Sequence, residues 1–159
     1  MDGFTDRRDR TIQEHEHDSY RMRGKLREPS VCPQCGVVFH KGRWSWNGRP
    51  PGAEEILCPA CHRINDQYPQ GLIRLTGPFF AEHKDDVLNA VRNQEAEERA
   101  EHPLSRIMSI KDEAGDAVVE TTDVHLPRRI GEALHHAYHG ALTFHYDEDE
   151  QFIRVQWKR

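Results

Sequence analysis

Four cysteines constrain this chain more than any other feature. They form two matched pairs, CPQC at 32–35 and CPAC at 58–61, in the pattern C-x2-C-x22-C-x2-C. A two-residue spacer lets one tight turn present two sulfurs to one ion, and four thiolates at about 2.3 Å make a closed tetrahedral zinc site. Pro33 stiffens the first turn, and Gly36 permits a backbone conformation that other residues resist. The surrounding unit, residues 30–75, carries few large apolar side chains. Metal is therefore expected to supply much of its stability, on the scale of roughly 10–16 kcal/mol of apparent binding energy.

Other uses of these cysteines fit less well. CPACH at 58–62 also reads as the C-x-x-C-H pattern of haem attachment. That chemistry needs export and would leave Cys32 and Cys35 idle. A redox dithiol would not need two matched pairs. His40 and His62 could each replace a cysteine as ligand, but with four cysteines at hand they are expected to be surface neighbours. The opening residues MDGFTDRRDR lack the apolar segment of a secretory signal, and no apolar run approaches the roughly 20 residues of a membrane span. The expected compartment is the cytosol, where paired C-x-x-C motifs favour metal over disulfides.

The 159 residues carry a net charge of -5, unevenly spread. Residues 1–75 hold 12 Lys/Arg and 10 Asp/Glu, and residues 76–159 hold 10 and 17. Such a total argues against nonspecific coating of nucleic acid but leaves room for a basic surface in the first half. Residues 1–29 mix Arg7, Arg8, Arg10, Arg21, Arg23, Lys25 and Arg27 with seven acids and show no apolar period. They read as a flexible arm, with at most a helical turn near 11–15.

After the cysteine unit, residues 76–103 read as a connecting helix. Gly77-Pro78 suits its start, Phe80, Val87, Leu88 and Val91 form its apolar stripe, and His102-Pro103 ends it. Its second half, NQEAEERAEH, is polar all round and is expected to project into solvent or to link domains. Residues 104–159 read as a small domain. Ile107, Met108 and Ile110 mark a strand, DEAGD a turn, and 117–122 a second strand. Pro127 opens a helix with Ile130, Ala133, Leu134, Ala137 and Tyr138 on one face and Gly140 at its end. Two alternating segments, 142–146 and 152–157, flank the acidic turn DEDE. The expected fold class is α+β: a four-cysteine zinc ribbon with a flexible arm, a connecting helix, and a β-β-α-β-β domain whose sheet carries a helix on one face.

Signals for catalysis are weak, and no enzyme is expected. A four-cysteine zinc site has no open coordination position. The chain has no phosphate-binding glycine loop, no nucleophile elbow and no HExxH motif. His135 and His139 lie one helical turn apart, and His15-Glu16-His17 lies in the arm. Both groups are expected to be solvent-facing rather than ligands. The acidic runs EAEERAE and DEDE are expected to be solvated.

Binding remains. Between the cysteine pairs runs FHKGRWSWNGRP. If 42–46 is extended, Trp44 and Trp46 share one face and Arg43 and Ser45 the other. Aromatics beside Lys41, Arg43 and Arg49 could stack on unpaired bases while the cations meet phosphate. At least one tryptophan is also expected to cover the ribbon's small core. The candidate RNA contacts are Arg21, Arg23, Lys25, Arg27, Lys41, Arg43 and Trp44.

CPQCG, then CPACHR, then YPQGLIRLTG with a following helix, resembles the N-terminal zinc region of the NMD-three family, the export adaptors of the large ribosomal subunit. The stretch VHLPRRIGEALHHAYHGALTFHYDEDEQFIRVQWKR is similar to a helix-hairpin segment further along those proteins. The resemblance spans about 32–159 and gives the chain the look of a short bacterial version. It departs from the family in having one four-cysteine site rather than two zincs and in lacking the long C-terminal domains. The resemblance implies zinc on Cys32, Cys35, Cys58 and Cys61 and a ribosome or rRNA partner. The expected function is thus non-enzymatic binding of ribosomes or structured RNA, regulating translation or subunit state. The alternative is a protein-protein adaptor with an acidic docking surface.

Overall fold

The first cysteine pair sits in a turn between two short strands, β1 (Ser30–Val31) and β2 (Val38–His40), paired antiparallel. The turn closes because the Cys32 N–H donates to the Val37 carbonyl (2.8 Å) and the Gly36 N–H to the Cys32 carbonyl (2.9 Å). Gly36 takes φ +85°, the left-handed geometry that the reversal needs. The computed structural model describes Tyr20 and residues 26–159. The arm's Arg21, Arg23 and Lys25 and the turn expected at 11–15 lie outside the described residues.

A second reversal follows at once. Lys41 and Gly42 have φ of 55° and 77° and join His40 to its cross-strand partner Arg43. Two consecutive residues at positive φ make the tight hairpin turn whose twist matches the strands it joins. The hairpin runs into β3 (Arg43–Ser45), and β4 (Glu54–Glu55) then lies parallel to β1, giving the order β3-β2-β1-β4. The second cysteine pair differs from the first. It opens a helix, α1 (Pro59–Asp66), with Cys58 as its N-cap and Pro59 in the first helical position. The cysteine unit is therefore β-structured around one pair and helical at the other. Gln67 ends α1 in the left-handed region. Tyr20 is docked on this helix, its hydroxyl donating to Asp66 Oδ2 (2.8 Å) and its ring stacked under Arg63 at 4.5 Å.

The next element departs from the sequence reading. Residues 71–75 were expected at the end of the cysteine unit. They form β5 (Gly71–Thr76), the central strand of a second, five-stranded sheet. The chain continues through α2 (Pro78–Glu82) and α3 (Lys84–Glu101). It then forms β6 (Ile107–Glu113), β7 (Asp116–Thr121), α4 (His125–Tyr138), β8 (Ala141–Asp147) and β9 (Phe152–Lys158). The expected β-β-α-β-β order is present as β6-β7-α4-β8-β9. The sheet order is β6-β7-β5-β9-β8, with β5 parallel to β9 and antiparallel to β7. The physical reason is alternation. Gly71, Ile73 and Leu75 are buried on one face of β5, and Ile153, Val155 and Trp157 on the matching face of β9.

The main core lies on that face. It joins Ile73, Leu75, Val119, Val155 and Trp157 to Phe80, Val87 and Val91 before the sheet's second half, and to Leu126, Ile130 and Leu134 of α4. Gly131 lets α4 sit close to the sheet, since a Cβ there would fall 2.7 Å from Leu142 Cδ1. On the opposite face, ion pairs Arg74–Glu113 (3.2 Å) and Lys111–Glu120 (3.0 Å) flank buried Val118, whose strand partners are Arg74 and Lys111. A second, separate core surrounds the cysteines.

Two further expectations are corrected. The connecting helix is broken at His83 (φ -119°, ψ 30°) into α2 and α3. The polar second half of α3 does not simply project into solvent. Arg99 accepts the Trp46 indole N–H on its carbonyl (2.8 Å), and Glu95 accepts the N–H of Ile107. This half of α3 ties the cysteine unit to the sheet. No helix among the described residues is long and apolar enough to cross a membrane.

Candidate metal centre

Each pair of cysteines is held by the backbone that carries it. The Cys32 turn is closed as described above. On the other side, the Cys61 N–H donates to Cys58 Sγ (3.3 Å), and the Cys58 N–H donates to Cys32 Sγ (3.4 Å), which links the pairs. A helix start carries N–H groups without intrahelical partners and the positive end of the helix dipole. Both pull sulfur towards its thiolate form, and Cys58 at the N-cap and Cys61 in the first turn of α1 are placed to feel them, though burial outweighs the pull.

The four sulfurs lie within 4.8 Å of one another. A tetrahedron with metal–sulfur bonds of about 2.3 Å has sulfur–sulfur edges of about 3.8 Å, and Cys35 Sγ to Cys58 Sγ measures 3.8 Å. All four cysteines are free. Three are buried, while Cys35 is half-buried. Among the described residues they are the one group of three or more potential ligands gathered closely enough to hold an ion. Four soft donors at tetrahedral spacing can coordinate a metal ion, with no position left for substrate.

The sulfurs are not equivalent. Burial opposes ionisation of Cys32, yet the backbone N–H groups of Cys58, Cys35 and Gln34 outweigh it and bring its pKa down to about 7. Burial pushes the Cys58 and Cys61 thiols up, against the pull of N–H donors and of Arg106. A bound cation would supply the charge that the two deep sulfurs lack.

Arg106 was absent from the sequence reading. It lies between α3 and β6, is 3% exposed, and reaches into the cysteine cluster. Its Nη1 donates to Cys61 Sγ (3.2 Å) and its Nη2 to Cys35 Sγ (3.0 Å), with Cys58 Sγ at 3.8 Å. Its Nε donates to the Pro103 carbonyl (2.9 Å), and its backbone is clamped to Thr122 on both N–H and C=O. The guanidinium also faces the Trp46 ring at 5.6 Å. Four thiolates around a divalent ion leave a net charge of -2, and a buried guanidinium fork is the side chain best suited to offset part of it. No local signal marks this arginine: it is 45 residues from Cys61 in sequence.

The two tryptophans, expected on one face, both pack against the cysteine core. Trp46 is the anchor, with its indole bonded to α3 and Arg99 and Arg106 over its ring. Trp44 is half-buried, stacks obliquely on Phe39 at 5.0 Å, and borders two clefts of about 730 and 560 Å³. The larger is lined by Lys41, Arg43, Arg49 and Trp46 on the hairpin side and by Glu101 and Pro103 on the other. Lys41 and Arg43 are exposed at the hairpin tip. Arg27, also exposed, pairs with Glu54 at 2.7 Å on the far edge strand β4, away from that cleft's lining. The structure thus brings Lys41, Arg43 and Trp44 together and sets Arg27 apart. His40 and His62 are exposed and outside the sulfur cluster. His135 and His139 have ring centroids 6.3 Å apart, and His135 Nδ1 meets the Gly140 carbonyl (3.1 Å) at the end of α4.

No protein-family model, curated protein or solved structure matches the chain.

Proposed function

We propose that the chain is a non-enzymatic zinc protein that binds structured RNA, ribosomal RNA foremost, through the β2–β3 hairpin and the cleft beside Trp44. Zinc is the ion that best suits four thiolates in closed tetrahedral geometry. The observation that carries the reading is the composition of the larger cleft. Three cations, Lys41, Arg43 and Arg49, line it together with the half-exposed Trp44 indole on a hairpin packed against the cysteine cluster; Arg49 is also paired with Glu55 at 3.4 Å. Cations meet phosphate, and an indole offers a stacking face to any unpaired base. The arm cations Arg21, Arg23 and Lys25 precede this unit in sequence and would add phosphate contacts. The resemblance of the cysteine segments to the NMD-three family supports a ribosomal partner.

The test is binding of the zinc-loaded chain to ribosomes and to isolated rRNA fragments across a salt series. Each phosphate neutralised on a single strand contributes a slope of about -0.7 in log affinity against log salt. Substituting Arg43→Glu and Arg49→Glu should weaken binding and flatten the slope, with zinc content unchanged. Affinity indifferent to salt and to both substitutions would overturn the reading and leave the adaptor role in its place.

A further inference from the structure

The five-stranded sheet has two edges, and they are built differently. At β6 the outer edge is guarded. The strand is bulged between Ile107 and Ser109, carries Lys111, Asp112 and Glu113, and is tied to α3, whose Glu95 takes the Ile107 N–H and whose Lys84 pairs with Asp112 at 2.6 Å. Bulges, charges and covering side chains are the devices that keep an edge from pairing with another chain. At β8 the guard is thinner: no bulge interrupts the strand, its one carboxylate is Asp147 at the end, and Arg128 of α4 lies over the Phe144 ring at 5.3 Å. Its sequence ALTFHYD has no proline or lysine, its pairing with β9 runs in unbroken register, and no side-chain hydrogen bond among the described residues reaches 141–146. Phe144 and Tyr146 are 44% and 47% exposed, two of the three large hydrophobic residues so exposed among the described residues.

We infer that β8 is a homodimer edge, pairing antiparallel with β8 of a second copy about a two-fold axis at Phe144. Three features select a second copy. The strand is self-complementary about its centre: Thr143 meets His145, Leu142 meets Tyr146, and Phe144 meets itself, all on matching faces. Leu142, Phe144 and Tyr146 lie on the α4 side of the sheet, opposite Trp157, Val155 and Ile153. The two-fold therefore joins the exposed rings of both copies between their α4 helices. Charge is matched as well, through Asp147, whose Oδ1 also accepts the N–H groups of Asp149 and Glu150 in its own turn. This register sets Asp147 of one copy opposite Ala141 of the other, and Ala141 is paired in turn with Lys158. Lys158 and the second copy's Asp147 then share a face two strand spacings apart, about 9.6 Å, across a residue too small to separate them. The two-fold creates this pair twice. Ten strands would form one continuous sheet with isologous contacts throughout.

The test is light scattering on the full, zinc-loaded chain over a concentration series. The wild type should pass from monomer to dimer. Phe144→Lys sets two ammonium groups against each other on the axis and should hold the chain monomeric with unchanged zinc content and circular dichroism. Asp147→Lys should weaken the dimer, and adding Lys158→Asp to it should restore the dimer. Phe144→Cys should give a disulfide-linked dimer on mild oxidation, because it alone faces its own copy. A wild type monomeric up to its solubility limit, or a dimer indifferent to Phe144→Lys, would overturn the proposal. A monomer that instead takes up an extended foreign peptide along β8 overturns it too.

Discussion

Arg106 Nη2 lies 3.0 Å from Cys35 Sγ, across 71 residues of chain. The contact makes the sheet a participant in the cysteine cluster, because Arg106 is held by Pro103 and Thr122 as well as by sulfur. Replacing Arg106 with Ala should lower zinc affinity by about 10–100-fold, the usual effect of removing a partner that bonds to metal ligands. Lysine should rescue only partly, since one ammonium cannot reproduce the fork that spans Cys35 and Cys61. Competition with a chromophoric chelator measures both. Equal affinity in all three proteins would reduce Arg106 to a packing residue.

Cys58→Ser should abolish stoichiometric metal binding and loosen residues 30–66 while leaving the sheet folded. The warrant is that the cysteine core and the sheet core are separate clusters. Limited proteolysis should yield a resistant fragment starting near residue 70. That start lies before β5, because β5 belongs to the sheet. A fragment starting near residue 104 would contradict the central place of β5.

The tryptophans should separate by function. Trp44→Ala should weaken RNA binding by about 1–3 kcal/mol if its ring stacks on a base, and metal content should be retained. Trp46→Phe keeps an aromatic ring but deletes the indole N–H bond to Arg99, which should cost at least about 0.5–1.5 kcal/mol of stability, and RNA binding should fall less than in Trp44→Ala. Denaturant titration and a binding isotherm on each variant decide the matter.

Gly77→Ala should be strongly destabilising. Gly77 sits at φ +105°, and a Cβ there would fall 2.3 Å from the Arg159 carbonyl oxygen, which accepts the N–H of Phe80. Backbone cannot move aside as a side-chain tip can. Gly131→Ala, whose Cβ meets the end of the Leu142 side chain, should cost less, about 1–3 kcal/mol. Thermal denaturation should rank the two in that order.

How far the sequence could be read depended on range. The cysteine pairs announce themselves because a tight turn fixes the relation of residues three apart. The apolar stripe of α4 is legible for the same reason. The break at His83 and the anchoring of the second half of α3 were not, since both depend on what packs alongside. For β5, the alternation of Ile73 and Leu75 was visible in GLIRLT, but nothing local says that Val155 lies beside Ile73. Arg106 is the extreme case, for its role exists only after two distant units meet. The parity argument placed Trp44 and Trp46 together, and the structure divided their work through a hydrogen bond that no pattern encodes.

The parallel pairing of β5 with β9 has a consequence in time. Gly71 and its partner Ile153 are 82 residues apart. At about 5–20 residues per second of synthesis, the centre of the sheet waits roughly 4–16 s for its neighbour. The four cysteines are all made before that interval begins, so the sulfurs can gather while β5 still lacks β9, and Arg106 joins them only later. Two hydrophobic positions of β5, Ile73 and Leu75, stay uncovered on their β9 side until the last strand emerges. The cysteine core, which shares no residue with the sheet core, can therefore gather before the strand that completes the sheet is made.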